Sequence, residues 1–235
     1  MARRHERGGG ASLARMSRQS RANLRAFVRR NTHLQDLPEV PGLRLHLADD
    51  VMEVCRLAGV ELGQADPPLP YWAFAWAGGQ ALSRYVLDHA GTVKDLKVLD
   101  LATGSGLVAI AALQAGAATT TAADIDEFAT TAAGMNAELN RVSLDIRLED
   151  LLHRQPPSAD IILVGDLFYE KSLAARCLAW LRQAQEQGAK IFIGDPGRSY
   201  LPRDQLEKLA EYNVPVTRDL EDADIKKTAV WQLKA

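Results

Sequence analysis

The pattern of apolar and polar positions predicts strands and helices that alternate along the chain. Five short apolar runs have the length and composition of strands: 97–101, 119–123, 145–148, 160–164 and 190–193. Apolar residues at helical spacing predict helices over 47–60, 80–89, 107–115, 127–140, 171–187 and 203–212. Two further strands are predicted near 214–218 and 228–233.

Strands that alternate with helices of this length predict βαβ units on a parallel sheet with both faces covered. The last two strands are joined by residues 219–227, which are too few for a crossover helix, so this pair is expected to be antiparallel. The expected fold is therefore α/β. It is a Rossmann-like, doubly wound, seven-stranded sheet, mostly parallel, with a C-terminal antiparallel hairpin and an N-terminal helical extension.

Charge divides the chain unevenly. Nine arginines against one acid give residues 1–30 a net charge of +8, whereas the whole chain carries −2. We therefore expect a basic disordered tail at 1–17, a helical extension at 18–68 and the main domain at 69–235. A basic helix within the extension has one apolar face, which docks on the body or meets an acidic partner. An Arg-rich organellar presequence is the alternative interpretation of the first residues.

Composition excludes several classes of protein. A net charge of −2 and a pI near 6.2 rule out a generally cationic nucleic-acid binder. The spacing of Cys55 and Cys177 fits neither a disulfide framework nor a zinc site. The uncharged run 101–123 is as long as a membrane span, but glycines and threonines divide it into strand, loop, helix and strand. We expect a monomer without metal, nucleic-acid or membrane partners, in a bacterial cytosol or alternatively in the mitochondrial matrix.

The candidate chemistry lies where the predicted strands end. In open α/β sheets, ligands bind beyond the carboxyl ends of the strands, at the point where the strand order reverses. The segments that follow the five strands are rich in acids and glycines and include a tyrosine: 100–106, 124–126, 149–151, 165–169 and 194–198. These segments are therefore expected to form one site.

A glycine turn followed by an acid predicts a nucleoside ligand. Gly104 and Gly106 allow a ligand to approach the backbone, and Asp124 follows at the distance where a carboxylate accepts the hydroxyls of a ribose. The same glycines also fit the pattern of NAD-binding folds. Asp100 favours a cationic sulfonium ligand instead, because its charge would repel a pyrophosphate.

Three groups of residues carry a resemblance to known enzymes. Residues 100–106 resemble motif I of class I, seven-stranded S-adenosylmethionine-dependent methyltransferases, with Ala102 in place of the first glycine. Residues 166–169 resemble the D-x-x-Y motif of protein-lysine methyltransferases. Together, 70–85, 165–169 and 193–198 resemble the lysine methyltransferases that modify the β subunit of electron-transfer flavoprotein.

The resemblance implies a cofactor, an acceptor and a set of roles. The methyl donor would be S-adenosylmethionine, with S-adenosylhomocysteine as product, and the acceptors would be lysines of the flavoprotein β subunit. The implied cofactor-binding residues are Trp76, Gln80, Asp100, Thr103, Gly104, Gly106, Asp124, Ile125, Asp150, Leu151 and Gly165. Asp166 and Tyr169 would be catalytic, and the implied substrate-binding residues are Trp72, Phe168, Asp195 and Arg198.

Other interpretations remain open on the sequence alone. The acceptor could be another protein, as in ribosomal-protein methyltransferases, or the enzyme could be an NAD(P)-dependent oxidoreductase. A non-enzymatic alternative is a binding module that uses residues 1–30 to dock on acidic partners. Trp72 and Phe168 also fit plain core packing, and Asn136 and Asn140 are interpreted as surface residues.

Overall fold

The computed structural model describes residues 18–63, 69–216 and 224–235. Its helices are α1 Arg18–Asn31, α2 Val51–Leu62, α3 Ala77–Asp88, α4 Leu107–Gln114, α5 Glu127–Leu139 and α6 Lys171–Glu186. Its strands are β1 His33–Asp36, β2 Arg44–Leu47, β3 Lys97–Leu101, β4 Thr119–Asp124, β5 Asp145–Leu148, β6 Ile161–Gly165, β7 Lys190–Asp195, β8 Leu206–Pro215 and β9 Ile225–Leu233. The tail predicted at 1–17 lies outside the described residues.

Seven strands form the main sheet in the order β5-β4-β3-β6-β7-β9-β8. The first five run parallel, whereas β9 is antiparallel to both β7 and β8. The predicted fold class is therefore confirmed. The chain leaves β3 toward β5 and then returns to place β6 on the other side of β3, so the strand order reverses between β3 and β6. A ligand is expected at the carboxyl ends of these two strands.

Helices cover both faces of the sheet, as the apolar strands predict. On one face, Leu99, Ile162 and Ile191 pack with Leu181 of α6. On the other face, Val98, Leu163 and Phe192 pack with α3 and α4. Because neighbouring residues of one strand point to opposite faces, a strand buried on both sides must be apolar at nearly every position.

The helix predicted over 203–212 is wrong, because most of that segment forms the edge strand β8. Its residues favour a helix intrinsically, but β9 pairs with β8 from Leu206 opposite Leu233 to Pro215 opposite Ile225. Burial of Leu206 and Val214 against the body accompanies that pairing. Tertiary contacts therefore override local propensity here. Residues 217–218 of the predicted neighbouring strand lie outside the described part of the chain.

The N-terminal extension packs on the main domain and is not purely helical. Between α1 and α2, strands β1 and β2 form an antiparallel hairpin that helical spacing did not predict. The apolar face of α1 docks on α5, where the rings of Phe27 and Phe128 lie 4.9 Å apart between centroids. At the edge of this contact, the Arg25 guanidinium donates two hydrogen bonds to the Glu138 carboxylate, at 2.9 and 2.6 Å.

Asn136 joins the extension to the loop after β3. The interpretation of Asn136 as a surface residue is wrong, because its side chain is fully buried. Its Oδ1 accepts a hydrogen bond from the His46 N–H at 2.7 Å, and its Nδ2 donates to the Ser105 carbonyl at 2.8 Å. Asn140 binds both the N–H and the carbonyl of Arg44 in the same way. The two asparagines thereby fix the hairpin against α5.

Candidate active site

Asp100 braces the loop between β3 and α4 from inside. Its carboxylate is only 1% exposed and accepts hydrogen bonds from Thr103 Oγ1 at 2.6 Å and from the Ala109 N–H at 3.1 Å. Burial raises the pKa of Asp100 to about 7, against the lowering effect of these two donors. Both hydrogen bonds fall on Oδ2, and a direct contact of the Asp100 carboxylate with a cationic ligand stays a prediction.

The loop itself presents open space beside Gly104. A Cβ added there would have only the Cα of Trp72 within 4 Å, at 3.8 Å, so a ligand can approach this backbone closely. Gly106 serves packing instead, because a Cβ there would lie 2.9 Å from Ala133 of α5. Ala102, Gly104 and Gly106 all have positive φ, at 57°, 53° and 83°.

Asp124 at the end of β4 provides the acceptor oxygens of a nucleoside site. Its Oδ2 accepts from the Gly104 N–H at 2.9 Å and its Oδ1 from the Asp126 N–H at 3.0 Å. Each oxygen retains a lone pair that can accept a ribose hydroxyl. Burial raises the pKa of Asp124 above its usual range. Next to it, the Ile125 side chain is 72% exposed at the rim, where an apolar ring system could cover it.

Asp150 and Leu151 follow β5, which is the neighbour of β4. The Glu149 N–H donates to the Asp124 carbonyl at 2.8 Å and so holds this segment against the ribose position. The Asp150 carboxylate accepts from the Leu152 N–H at 3.0 Å and pairs with His153 at 3.3 Å. Leu151 is buried in the core, so its side chain packs inward rather than toward the rim.

These features fit a nucleoside cofactor such as S-adenosylmethionine. The space beside Gly104, the lone pairs of Asp124 and the exposed Ile125 lie on two successive loops at one edge of the sheet. In the described residues, no group of three or more His, Cys, Asp or Glu side chains is arranged to hold a metal ion. Within the same part of the chain, no helix has both the length and the apolar character to cross a membrane.

Asp166 at the end of β6 lies beneath the first turn of α3. Its Oδ2 accepts from the Gly79 N–H at 2.8 Å and its Oδ1 from Arg198 Nη2 at 2.9 Å. Burial raises the pKa of Asp166 to about 7, and Arg198 acts in the opposite direction. Asp166 also has a φ of 55°, the left-handed region that few non-glycine residues adopt.

Glycines allow α3 to approach these strand ends closely. A Cβ at Gly78 would overlap the Gly194 carbonyl oxygen and lie 2.5 Å from Asp166 Oδ2. A Cβ at Gly165 would lie 3.1 Å from the Cα of Gly79. Gly165 therefore forms a tight contact with α3, and its expected contact with the cofactor stays a prediction.

Three aromatic side chains, Tyr71, Trp76 and Tyr169, form a row beside the end of β6. The ring of Tyr169 is 43% exposed and lies 5.4 Å from the ring of Tyr71, which in turn lies 5.7 Å from Trp76. Trp76 Nε1 donates to the Tyr71 carbonyl at 2.9 Å, and Gln80 Nε2 donates to the Ala75 carbonyl at 2.7 Å. Partial burial, with the nearby Tyr71 and Asp124, raises the pKa of Tyr169 to about 12, so its hydroxyl stays protonated.

The structure corrects the roles expected for Trp72 and Phe168. Trp72 is 1% exposed and stacks on Phe128 with 6.0 Å between ring centroids. Phe168 is fully buried in the core that faces α6. Neither ring can reach a side chain that enters from solvent. Tyr71, one residue earlier in the same aromatic segment, is the exposed ring that lies next to Tyr169.

Asp195 and Arg198 belong to the turn that follows β7, and this turn contacts Asp166. Asp195 is fully buried, and its Oδ1 accepts from the N–H groups of Gly197 and Arg198 at 2.6 and 2.7 Å. The guanidinium carbon of Arg198 lies 5.6 Å from the centroid of the Trp76 ring. Asp195 is thus a brace for the turn, which differs from the substrate contact expected for it.

Comparison with known proteins identifies relatives of the chain. The ribosomal protein L11 methyltransferase (PrmA) family matches residues 80–167. A Xenopus laevis protein named electron transfer flavoprotein beta subunit lysine methyltransferase is 36% identical over 216 residues, covering 89% of this chain and 87% of that protein. The Mus musculus protein of the same name is 40% identical over 168 residues, covering 69% of this chain and 66% of that protein.

A solved structure supports the fold alone. A Pyrococcus horikoshii protein proposed to be an RNA methyltransferase superposes with a TM-score of 0.51 at 14% identity, covering 77% of this chain and 97% of that chain. The identity with the Xenopus protein, in contrast, extends over most of both sequences. The chain therefore belongs to the electron transfer flavoprotein beta subunit lysine methyltransferase family.

Proposed function

We propose that this chain is an S-adenosylmethionine-dependent protein-lysine N-methyltransferase whose acceptor is the β subunit of electron transfer flavoprotein. The observation that carries the proposal is the meeting of two half-sites at the point where the strand order reverses. The open loop at Gly104 with Asp124 forms one half, and Asp166 with Tyr169 forms the other. Residues 71 and 72 link the two halves: the Trp72 Cα lies 3.8 Å from the Cβ position of Gly104, and the ring of Tyr71 lies 5.4 Å from that of Tyr169.

The cofactor half holds and orients the methyl donor. Bound there, S-adenosylmethionine supplies an electrophilic methyl group on a positively charged sulfur. Asp124 would accept the ribose hydroxyls, and the open backbone at Gly104 would leave room for the remainder of the cofactor. Transfer to an amine needs the nitrogen, methyl and sulfur in line, so the contribution of these residues is chiefly alignment.

The acceptor half prepares the lysine. A free lysine has a pKa near 10.4, and its amine must be neutral to attack. Tyr71, Trp76 and Tyr169 provide an aromatic wall that removes water from the amine and so lowers its pKa. Asp166 attracts the ammonium and accepts its proton, directly or through water, because its own pKa lies near neutrality. The aromatic faces also accommodate the methylated, still cationic product through cation–π contacts.

The remaining properties of the protein are part of the same proposal. Methyl transfer resides in residues 69–235, and the extension at 18–63 supports the loop after β3 through Asn136. The protein acts as a monomer without nucleic-acid or membrane partners. A bacterial cytosolic location stays a prediction, with the mitochondrial matrix as the alternative, since the residues that would form a presequence lie outside the described part.

The acceptor can be tested by parallel methylation assays. Purified enzyme is incubated with radiolabelled S-adenosylmethionine and either the flavoprotein β subunit or ribosomal protein L11, and labelled lysines are located by mass spectrometry. We expect label in lysines of the β subunit, with equimolar S-adenosylhomocysteine formed. Label only in protein L11 would favour the alternative acceptor, for which the match at residues 80–167 is the supporting observation.

The cofactor class can be tested separately by calorimetry. We expect S-adenosylhomocysteine to bind and NADH not to bind. Binding of NADH without binding of S-adenosylhomocysteine would reject the methyltransferase in favour of an oxidoreductase.

A further inference from the structure

Arg198 lies inside the acceptor half of the site. Its guanidinium contacts the Asp166 carboxylate at 2.9 Å and the Trp76 ring at 5.6 Å from Cζ to centroid, and its side chain is only 21% exposed. An arginine that grips the surface of a partner protein extends into solvent. The observed position points instead to a role within the site.

The turn at 195–198 determines where Arg198 points. The Asp195 carboxylate receives two backbone N–H groups of this turn, and Gly197 supplies the left-handed φ of 94° that the turn requires. Arg203 Nη2 donates to the Gly197 carbonyl at 3.1 Å from the opposite side. The backbone of the turn is therefore held by the Asp195 carboxylate on one side and by Arg203 on the other, and it directs the Arg198 guanidinium to Asp166.

The electrostatic surroundings of Asp166 are simple. Two charged groups act on it, and both come from the end of β7: Arg198 favours the ionised carboxylate and Asp195 disfavours it. The first turn of α3 contributes the uncharged Gly79 N–H, and Trp76 and the protonated Tyr169 are neutral. Burial alone would drive Asp166 to its neutral form, and among the residues that the structure describes Arg198 is the positive charge that opposes this effect.

Resting on the proposed function, we propose that Arg198, itself held over the Trp76 ring, is a positioning residue that keeps the Asp166 carboxylate charged and in place for the acceptor lysine. The ion pair between Arg198 and Asp166 leaves a free lone pair on each carboxylate oxygen. The lysine Nζ can therefore donate a hydrogen bond to the carboxylate while Arg198 stays in place. A planar guanidinium suits this position, because it can bind a carboxylate edge-on and lie over an indole face at the same time.

The test compares variants that change the charge next to Asp166 and should move the pKa of its carboxyl in opposite directions. Arg198→Met removes the positive charge, and Asp195→Asn removes the neighbouring negative charge while an amide oxygen can still accept the two N–H groups. Arg198→Lys restores the charge without the planar group. The two measurements are the titration of the Asp166 carboxyl carbon by ¹³C NMR and the pH profile of kcat/KM for methyl transfer.

The expected profile of the native enzyme has two parts. Its kcat/KM rises with pH because the free lysine must lose a proton. Below about pH 7 the slope is steeper, because Asp166 must lose a proton as well. Arg198→Met should move both the NMR midpoint and the break in the profile to higher pH by about 1 to 3 pH units. Asp195→Asn should move both to lower pH, and Arg198→Lys should return them toward the native position.

Arg203→Met is the matched control, because Arg203 supports the same turn without contacting Asp166. We expect it to lower the melting temperature and leave the break in place. The proposal is overturned if Arg198→Met lowers transfer equally at every pH, or if Asp195→Asn moves the NMR midpoint upward. Failure of the proposed function gives a different result, because the native enzyme then methylates no lysine at any pH. The NMR titration would still report whether Arg198 favours the ionised form of Asp166.

Discussion

The two halves of the candidate site are built in different ways. The cofactor half is assembled from two short segments about twenty residues apart in sequence, and its polar contacts run mainly from carboxylates to backbone N–H groups, as at Asp124 and Gly104. The acceptor half draws on three separate regions, which contribute Trp76 and Gly79, then Asp166 and Tyr169, and finally Arg198. The cofactor half is therefore a local motif, whereas the acceptor half forms only when three distant segments come together in the folded chain.

This difference has a physical consequence for stability and specificity. Local carboxylate-to-backbone contacts need only one strand, one turn and the next strand to be in register. The acceptor half instead requires α3, β6 and β7 to approach one another within backbone contact, which side chains at Gly78 or Gly194 would prevent. Tolerance to substitution should accordingly be lower at the contact between α3 and the strand ends.

Gly78→Ala should cause the largest effect, and it tests that contact directly. The new Cβ overlaps the Gly194 carbonyl, a backbone atom that cannot rotate away, so we expect a loss of about 3 kcal/mol in the free energy of unfolding. Denaturant unfolding at constant pH measures it. Loss of lysine methylation should accompany the change, because the Gly79 N–H then leaves Asp166.

Gly79→Ala is the matched control for this prediction. It adds the same methyl group to the same turn, but the nearest atom lies 3.8 Å away at Val108. We expect a gain of up to about 1 kcal/mol from the higher helix propensity of alanine. If Gly78→Ala and Gly79→Ala lost the same free energy of unfolding, the close approach of α3 to the strand ends would not matter for stability. The contrast between the two halves of the site would then be wrong.

Asp124→Asn is expected to have the next largest effect, on the cofactor half. The amide removes the negative charge and one of the two acceptor oxygens, so hydrogen bonds to two ribose hydroxyls are weakened or lost. At about 1.5 kcal/mol for each bond to a charged group, affinity for S-adenosylhomocysteine should fall about hundredfold. Calorimetry measures the change, with folding checked by circular dichroism.

Asp145→Asn provides the comparison for Asp124. Asp145 is an exposed carboxylate on β5 that pairs with Arg147 and accepts from Thr121, away from the rim. Its replacement should leave the affinity for S-adenosylhomocysteine unchanged. An unchanged affinity in Asp124→Asn as well would place the nucleoside elsewhere on the molecule.

The local character of each half also explains what the sequence could predict. Strands that are buried on both faces, such as 160–164, are visible as apolar runs in the sequence, so the fold class could be predicted. The glycine turn and Asp124 lie close enough in sequence to suggest the cofactor half, which stays a prediction. The helix predicted at 203–212 was wrong because only pairing with β9 determines β8. Likewise, the partners of Asn136 lie 90 and 31 residues away in sequence, and nothing local indicates them.

In the acceptor half, the limiting factor was the direction of side chains. The sequence drew attention to the aromatic segment 71–76 and to residues 166–169, but a loop sequence does not indicate which of its rings is buried. A step of one residue separates the buried Trp72 from Tyr71, and the buried Phe168 from Tyr169. Only the packing of Trp72 on Phe128, and of Phe168 against α6, decides which member of each pair is buried and which is exposed.

Ala102→Gly should have the smallest effect. It tests the cofactor half with a change that is expected to stabilise the protein. Ala102 has a φ of 57° at the position where the resembled motif carries glycine, and a left-handed conformation costs an L-residue about 1 to 2 kcal/mol. Glycine removes that strain but adds about 0.4 to 1 kcal/mol of backbone entropy to the unfolded chain. The net expectation is a gain of roughly 0.5 to 1 kcal/mol, measured as an upward shift of the denaturant midpoint. Because the change keeps the loop conformation, affinity for S-adenosylhomocysteine should stay the same. A loss of stability would mean that the Ala102 methyl group packs well enough to offset its strain, and the cofactor half would then depend on side-chain packing as the acceptor half does.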